Sequence, residues 1–216
     1  FDVIVVGLGH AGCEAALACA RLGHATLGLT LRADRIAVLS CNPAIGGTAK
    51  GHLVRELDAL GGEMGAAADD AGTHVRILNA SRGPAVQATR VLCDRDAYAA
   101  RMQQAIREQA GLTVWEGEAD RLEVVDGRVR GVRLADGRSA TARSVILTTG
   151  TFLRALMHEG SRTQVGGRIG DAAAVGLSAE LARLGIELGR FKTGTPPRLL
   201  ARSIDWARCT PQPGEA

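Results

Sequence analysis

Three features of the sequence predict an α/β fold built on a parallel sheet. The apolar run Val3-Ile4-Val5-Val6 leads directly into Gly7-Leu8-Gly9-His10-Ala11-Gly12 and an alanine-rich, helix-favouring stretch. Asp126-Gly127 and Asp136-Gly137 lie between β-rich segments, a signature of tight hairpins. A second apolar strand, Ser144 to Thr148, ends on Thr149-Gly150.

Taken in order, the first four apolar residues show no alternation, as a strand buried on both faces requires. Gly7, Gly9 and Gly12 make G-x-G-x-x-G, a helix is expected from Gly12 to Leu22, and a second strand from Ala25 to Leu29. In a strand–turn–helix unit of about thirty residues this spacing is a dinucleotide-binding fingerprint. Gly7 permits the tight turn, Gly9 lets the backbone approach a pyrophosphate, and Gly12 brings helix against strand. The helix N-terminus offers N–H groups and partial positive charge to the phosphates. His10, inside the loop, is either a cofactor contact or a neutral loop residue. Glu14, placed in the first helical turn, suits the helix dipole and is also a candidate contact. A ribose-binding carboxylate usually ends the second strand. Here that place reads Thr30-Leu31-Arg32, with Asp34 late, so the ribose contact must come from elsewhere.

A helix is expected from Asp94 to Ala110, with Tyr98, Met102, Ala105, Ile106 and Gln109 at helical spacing and Gly111 as its stop. A strand, the two hairpins of a β-meander and the Ser144–Thr148 strand follow. This order resembles the Rossmann-type FAD-binding domain of the glutathione-reductase-like flavoproteins. The resemblance implies FAD, with Glu118-Ala119 at the adenine end and Thr148-Thr149-Gly150 closing the nucleotide loop. Residues 1–150 are expected to be that FAD-binding domain with its β-meander. Residues 151–216 are expected to be a loop-rich continuation leading to a missing inserted domain. The chain opens in a strand and closes on "TPQPGEA", which reads as a truncated piece of a longer protein.

Bulk composition narrows the class. Net charge is +3, compatible with a polyanionic partner without demanding one. Five cysteines, odd in number and with no C-x-x-C, argue against a disulfide framework or a zinc site. They point to a reducing, cytoplasmic setting, with no metal expected. No apolar run is long enough to span a membrane. Cys13, Cys19 and Cys93 read as packing residues, Cys209 as a linker residue and His52 as structural.

The segments "GHAGCEAALA", "SCNPAIGGTAKGHLVRELDALGG", "RILNASRGPAVQATR", "LTTGTFL", "GGRIGD" and "RFKTGTPPRL" occur in one unbroken order. Through them the chain is identified as a member of the GidA/MnmG family, FAD-dependent proteins that modify the wobble uridine of certain tRNAs. The resemblance implies an MnmE-type GTPase partner, a homodimer in the full-length protein, NADH as reductant and methylene-tetrahydrofolate as carbon donor. The product is an aminomethyl or carboxymethylaminomethyl group at C5 of the uridine. Cys41, in "SCNPAIGG", is implied to be catalytic. The implied cofactor contacts are Gly7, Gly9, His10, Ala11, Gly12, Glu14, Asn42, Gly46, Gly47, Lys50, Ala119, Thr149 and Gly150. Thr48-Ala49 stands where relatives often have Ile-Gly.

The loop itself supports a chemical role. Lys50 and Lys192 are the only lysines, and both lie in glycine-containing loops. A helix starting near Gly47 or Thr48 would turn free N–H groups toward Cys41 and any anionic ligand. A lysine in that first turn is electrostatically misplaced unless an anion sits there. The same field favours a thiolate at Cys41, a competent nucleophile. "NASRGPAVQATR", with Arg82 and Arg90, lines the flavin or the RNA entrance, or forms a solvated turn. "RFKTGTPPRL", with Lys192 and Arg198, offers an anion-contacting loop stiffened by Pro196-Pro197. Neither has the aromatic interleaving of a single-strand RNA platform. Two alternatives stay open: a general FAD-dependent oxidoreductase acting on a small molecule or disulfide, and a non-catalytic dinucleotide-binding module.

Overall fold

The computed structural model describes residues 1–215. In chain order the elements are β1 (Val3–Val6), α1 (His10–Arg21), β2 (Thr26–Thr30), β3 (Ala44–Gly46), α2 (Lys50–Ala59), α3 (Met64–Asp70), β4 (Gly72–Leu78) and β5 (Ala88–Cys93). Then come α4 (Arg95–Glu108), β6 (Leu112–Glu116), β7 (Ala119–Val125), β8 (Arg128–Leu134), β9 (Ser139–Thr141) and β10 (Ser144–Leu147). The last are β11 (Leu156–Glu159), β12 (Arg162–Val165) and α5 (Gly176–Arg183).

These elements form two compact units. One comprises Phe1–Val38 and Met102–Arg190; the other comprises Leu39–Arg101 and the chain from Phe191 on.

The first unit is built on the parallel sheet β10-β1-β2-β6. Val3 pairs with Ser144 on one side and Thr26 on the other, and Thr30 with Glu116. Because β1 lies inside the sheet, all four of its residues are buried, which explains its lack of alternation. Ile4, Val6, Leu27 and Leu29 join a core with Val132, Leu134, Ala140 and Leu177. These come from the antiparallel sheet β7-β8-β9 and from α5. Asp126 and Gly127 take φ of +51° and +71°, the left-handed pair that closes a two-residue hairpin without splaying its strands. Past Thr151 the chain also forms the β11–β12 hairpin, a regular element within a stretch expected to be loop-rich.

The second unit holds the antiparallel sheet β3-β5-β4 with α2 and α3. Asp94 precedes α4 and accepts the backbone N–H groups of Asp96 and Ala97 at 3.0 and 2.9 Å, so an Asx cap sets where that helix starts. Gly111, at φ +79°, lies just past its end. Among the described residues no helix is long and apolar enough to cross a membrane.

Candidate functional site

The first unit concentrates its candidate residues where β1 and β10 end. Gly7 bonds its N–H to the Leu29 carbonyl at 2.8 Å and turns at φ +96°. A Cβ there would lie 2.5 Å from the Thr148 carbonyl oxygen, and one at Gly12 would lie 1.7 Å from the Gly7 oxygen. Packing within the chain therefore accounts for both glycines. Gly9 is different: a Cβ added there meets nothing within 4 Å. No internal contact requires the missing side chain, and the backbone at Gly9 stands open to an approaching group. That is the cradle a diphosphate needs.

Helix α1 starts at His10 with Gly9 as its extended cap residue, two residues earlier than the sequence suggests, and no side chain caps it. First-turn N–H groups of a helix have no intrahelical carbonyl to bond, which puts the positive end of α1 beside Gly9. His10 is half-buried and Ala11 exposed. The earlier start moves Glu14 out of the first turn, and its side chain is buried. This corrects the helix-dipole expectation for Glu14. Beside it, burial foremost and then Glu14 push the Cys13 thiol up to about 12, consistent with a packing residue.

Thr148, beside the predicted Thr149 and Gly150, ties the corner together. Its hydroxyl donates toward the Gly7 and Val6 carbonyls, at 2.8 and 3.0 Å. Thr149 is half-buried and Gly150 exposed at φ +57°. Ala119 is buried in the core, so only its backbone can meet a ligand. At the end of β2, Arg32 is bonded to Asp34 at 2.9 and 2.6 Å and approaches Asp171 at 3.5 Å. The Arg32 hydrogen bond holds the Asp34 carboxyl below its ordinary range. With its charge so engaged, Arg32 is a poor receptor for a 2′-phosphate. The carboxylate absent from β2 has a counterpart on the neighbouring strand: Glu116, which accepts the Ala33 N–H.

The second unit holds the Cys41 loop. Its strand β3 pairs with β5, Ile45 opposite Val91. A Cβ at Gly46 would lie 2.1 Å from the Thr89 oxygen, and one at Gly51 would lie 2.7 Å from it. Close backbone approach thus demands both glycines. Asn42 is exposed, Gly47 turns at φ +104°, and Cys41 and Lys50 are half-buried.

Helix α2 begins at Lys50, later than the sequence suggests, after Ala49 at φ +66°. The N–H of Lys50 bonds the Thr48 carbonyl, that of Gly51 the Gly47 carbonyl, and those of His52 and Leu53 the Ala49 carbonyl. The expectation of free helix N–H groups facing Cys41 is therefore corrected: the tightened loop consumes them. The cation remains. Burial pulls Lys50 below the usual lysine range, opposed by the Cys93 and Cys41 sulfurs. Burial raises Cys93, opposed by a backbone hydrogen bond from Ile45 and by Lys50.

Two contacts at Cys41 were not legible in the sequence. The Thr195 hydroxyl donates to Cys41 Sγ at 3.8 Å, and Thr193 Oγ1 lies 3.9 Å from the same sulfur. The only signal was the Lys192–Thr195 loop, picked out as an anion contact. Asn79, at φ +59°, bonds the Val86 carbonyl and Thr48 Oγ1. Gln87 bonds the Ala80 and Arg82 carbonyls. Residues 79–87 thus form a cross-braced turn, from which Arg82 stands exposed. His52 bonds the Ala85 carbonyl, a structural role.

Residues 2–216 match the family model described as Glucose inhibited division protein A. The chain is 68% identical over 215 residues to the tRNA uridine 5-carboxymethylaminomethyl modification enzyme MnmG of Myxococcus xanthus (strain DK1622), covering 100% of this chain and 35% of that protein. For the enzyme of that name from Geobacter sulfurreducens the identity is 55%, over 100% of this chain and 34% of the relative. The structure of Aquifex aeolicus GidA in its form II crystal superposes with a TM-score of 0.94 at 45% identity, over 100% of this chain and 36% of that one. The GidA-related protein from Thermus thermophilus shares the fold, with a TM-score of 0.62 at 24% identity over 86% of this chain and 68% of that one. The chain spans about a third of the length of the curated relatives it matches.

Proposed function

The chain belongs to the Glucose inhibited division protein A family, and from that premise we infer that it is the amino-terminal, FAD-binding portion of a tRNA-modifying flavoenzyme. The parent enzyme works in the cytoplasm as a homodimer with an MnmE-type GTPase. It installs aminomethyl or carboxymethylaminomethyl groups at C5 of the wobble uridine, with NADH as reductant and methylene-tetrahydrofolate as carbon source. Residues 1–150 form the glutathione-reductase-like FAD-binding domain, and residues 151–216 continue it.

The observation that carries the cofactor assignment is the open backbone at Gly9, between two glycines that internal packing explains. When bound, FAD supplies the redox capacity that uridine modification draws on. The backbone from Gly7 to Gly12 receives the diphosphate, with α1 adding its N-terminal partial charge. Thr148 fixes the shape of that corner by bonding Gly7. His10, Ala11, Glu14, Ala119, Thr149 and Gly150 complete the first unit's contact set, while Asn42, Gly46, Gly47 and Lys50 belong to the loop that carries the nucleophile. Cys41, as thiolate, bonds C6 of the uracil while the C5=C6 π pair moves to C5 and is shared with O4, or it bonds a folate-derived carbon whose C–N bond breaks with its pair left on nitrogen, which takes up a proton; Lys50 supplies a neighbouring cation. The identity to MnmG of Myxococcus xanthus across the whole chain supports the tRNA substrate. A disulfide oxidoreductase of this fold would be expected to carry a C-x-x-C, which the sequence lacks.

The test is to delete the gene, restore it as wild type or as Cys41→Ser, and measure wobble nucleosides by mass. Deletion is expected to remove the modified uridine and wild type to restore it. Cys41→Ser is expected to leave it absent while the purified full-length protein stays yellow. Unchanged wobble uridines after deletion would move the assignment to a general FAD-dependent oxidoreductase. Restoration by Cys41→Ser would remove the nucleophile assignment alone.

A further inference from the structure

We propose that Thr193 and Thr195 are positioning residues for Cys41, their hydroxyls holding the sulfur in a single orientation. The Thr195 hydroxyl donates to Cys41 Sγ at 3.8 Å, and Thr193 Oγ1 stands 3.9 Å from that atom. The partners are 154 and 152 residues away in sequence, so no local turn creates the contact. Both segments lie in the same compact unit. Threonines separated by one residue present their side chains to one side, as positions i and i+2 do in an extended chain. Pro196 and Pro197 follow immediately, and their fixed φ limits the freedom of the loop that aims them.

A half-buried thiol on an irregular loop has several rotamers open to it. Two hydroxyls converging on the sulfur select one of them and stabilise negative charge as it builds there. The catalytic consequence rests on the assignment of Cys41 as nucleophile, but the contact can be tested without it.

The test uses the full-length parent protein and iodoacetamide, with the rate of Cys41 alkylation followed by peptide mass. Thr195→Val is expected to slow alkylation about two- to tenfold, and the Thr193→Val/Thr195→Val pair to slow it further. Thr195→Ser, which keeps the hydroxyl, is expected to restore the wild-type rate, with thermal midpoints unchanged throughout. Equal rates in wild type and Thr195→Val overturn the proposal. So does a Thr195→Ser variant as slow as Thr195→Val, because shape rather than the hydroxyl would then be what matters. If Thr195→Val does not fold, Thr193→Val read against Thr193→Ser makes the same comparison. Should Cys41→Ser retain tRNA modification, the nucleophile assignment falls, while the alkylation comparison still decides this one.

Discussion

At Ala49 the backbone takes φ +66° and ψ −52° while the Lys50 N–H bonds the Thr48 carbonyl at 2.9 Å. That is a γ-turn of the uncommon hand, strained for any residue with a Cβ. Ala49→Gly is expected to raise stability by about 1 kcal/mol, seen as a higher urea midpoint at unchanged m-value. A lower midpoint would mean the loop relieves the strain in another way. A second residue-scale effect comes from Cys13, whose thiol is raised from 9.0 to about 12. Above pH 9 the unfolded chain loses a proton that the folded chain keeps. Stability therefore falls as pH rises from about 9 to about 12, by up to about 1.4 kcal/mol per pH unit. Urea midpoints of the full-length protein should drop between pH 8.5 and 10.5, and Cys13→Ala should flatten that drop. An unaltered slope would assign the alkaline loss to other groups. The roles of Gly7 and Gly12 were legible in the sequence because backbone conformation is written in glycine spacing. Thr148 and Thr195 were not, since a hydroxyl's partner depends on which strand or loop lies beside it.

The elements differ in how far local chemistry determines them. Helix α4 was legible, because its apolar positions recur at helical spacing and Asp94 and Gly111 bracket it. Asp94→Ala removes the acceptor for two N–H groups and is expected to cost about 1 kcal/mol. Asp94→Asn should recover most of that in the same denaturant titration. If the alanine and asparagine variants are equally stable, the side-chain cap contributes nothing. The hairpin at Asp126-Gly127 was likewise legible from its turn residues. The sheet β3-β5-β4 was not: β3 has three residues, too few for any period, and its partner β5 lies more than forty residues away. The onset of α2 was placed too early because Gly46 is kept for close approach to Thr89 and Gly47 for a turn at φ +104°, rather than for a helix start.

For the whole molecule the formal charge of +3 is modest, so any affinity for RNA depends on where the arginines stand. Arg82 and Arg198 are both exposed. Reversing both to Glu in the full-length protein is expected to weaken tRNA binding and to lower the salt slope by about two. Unchanged affinity would place the RNA elsewhere on the parent enzyme. The α/β class, the glycine-rich corner between β1 and α1, the hairpins and the family were all legible in the sequence, because these depend on short-range sterics and on motifs spread along the whole chain. It took the folded chain to show that residues 191–215 pack with 39–101, that the N–H groups of α2 are spent on its own loop, and that two threonine hydroxyls meet Cys41. Each of these depends on contacts between distant segments, whose free energy is set by packing that no local pattern encodes.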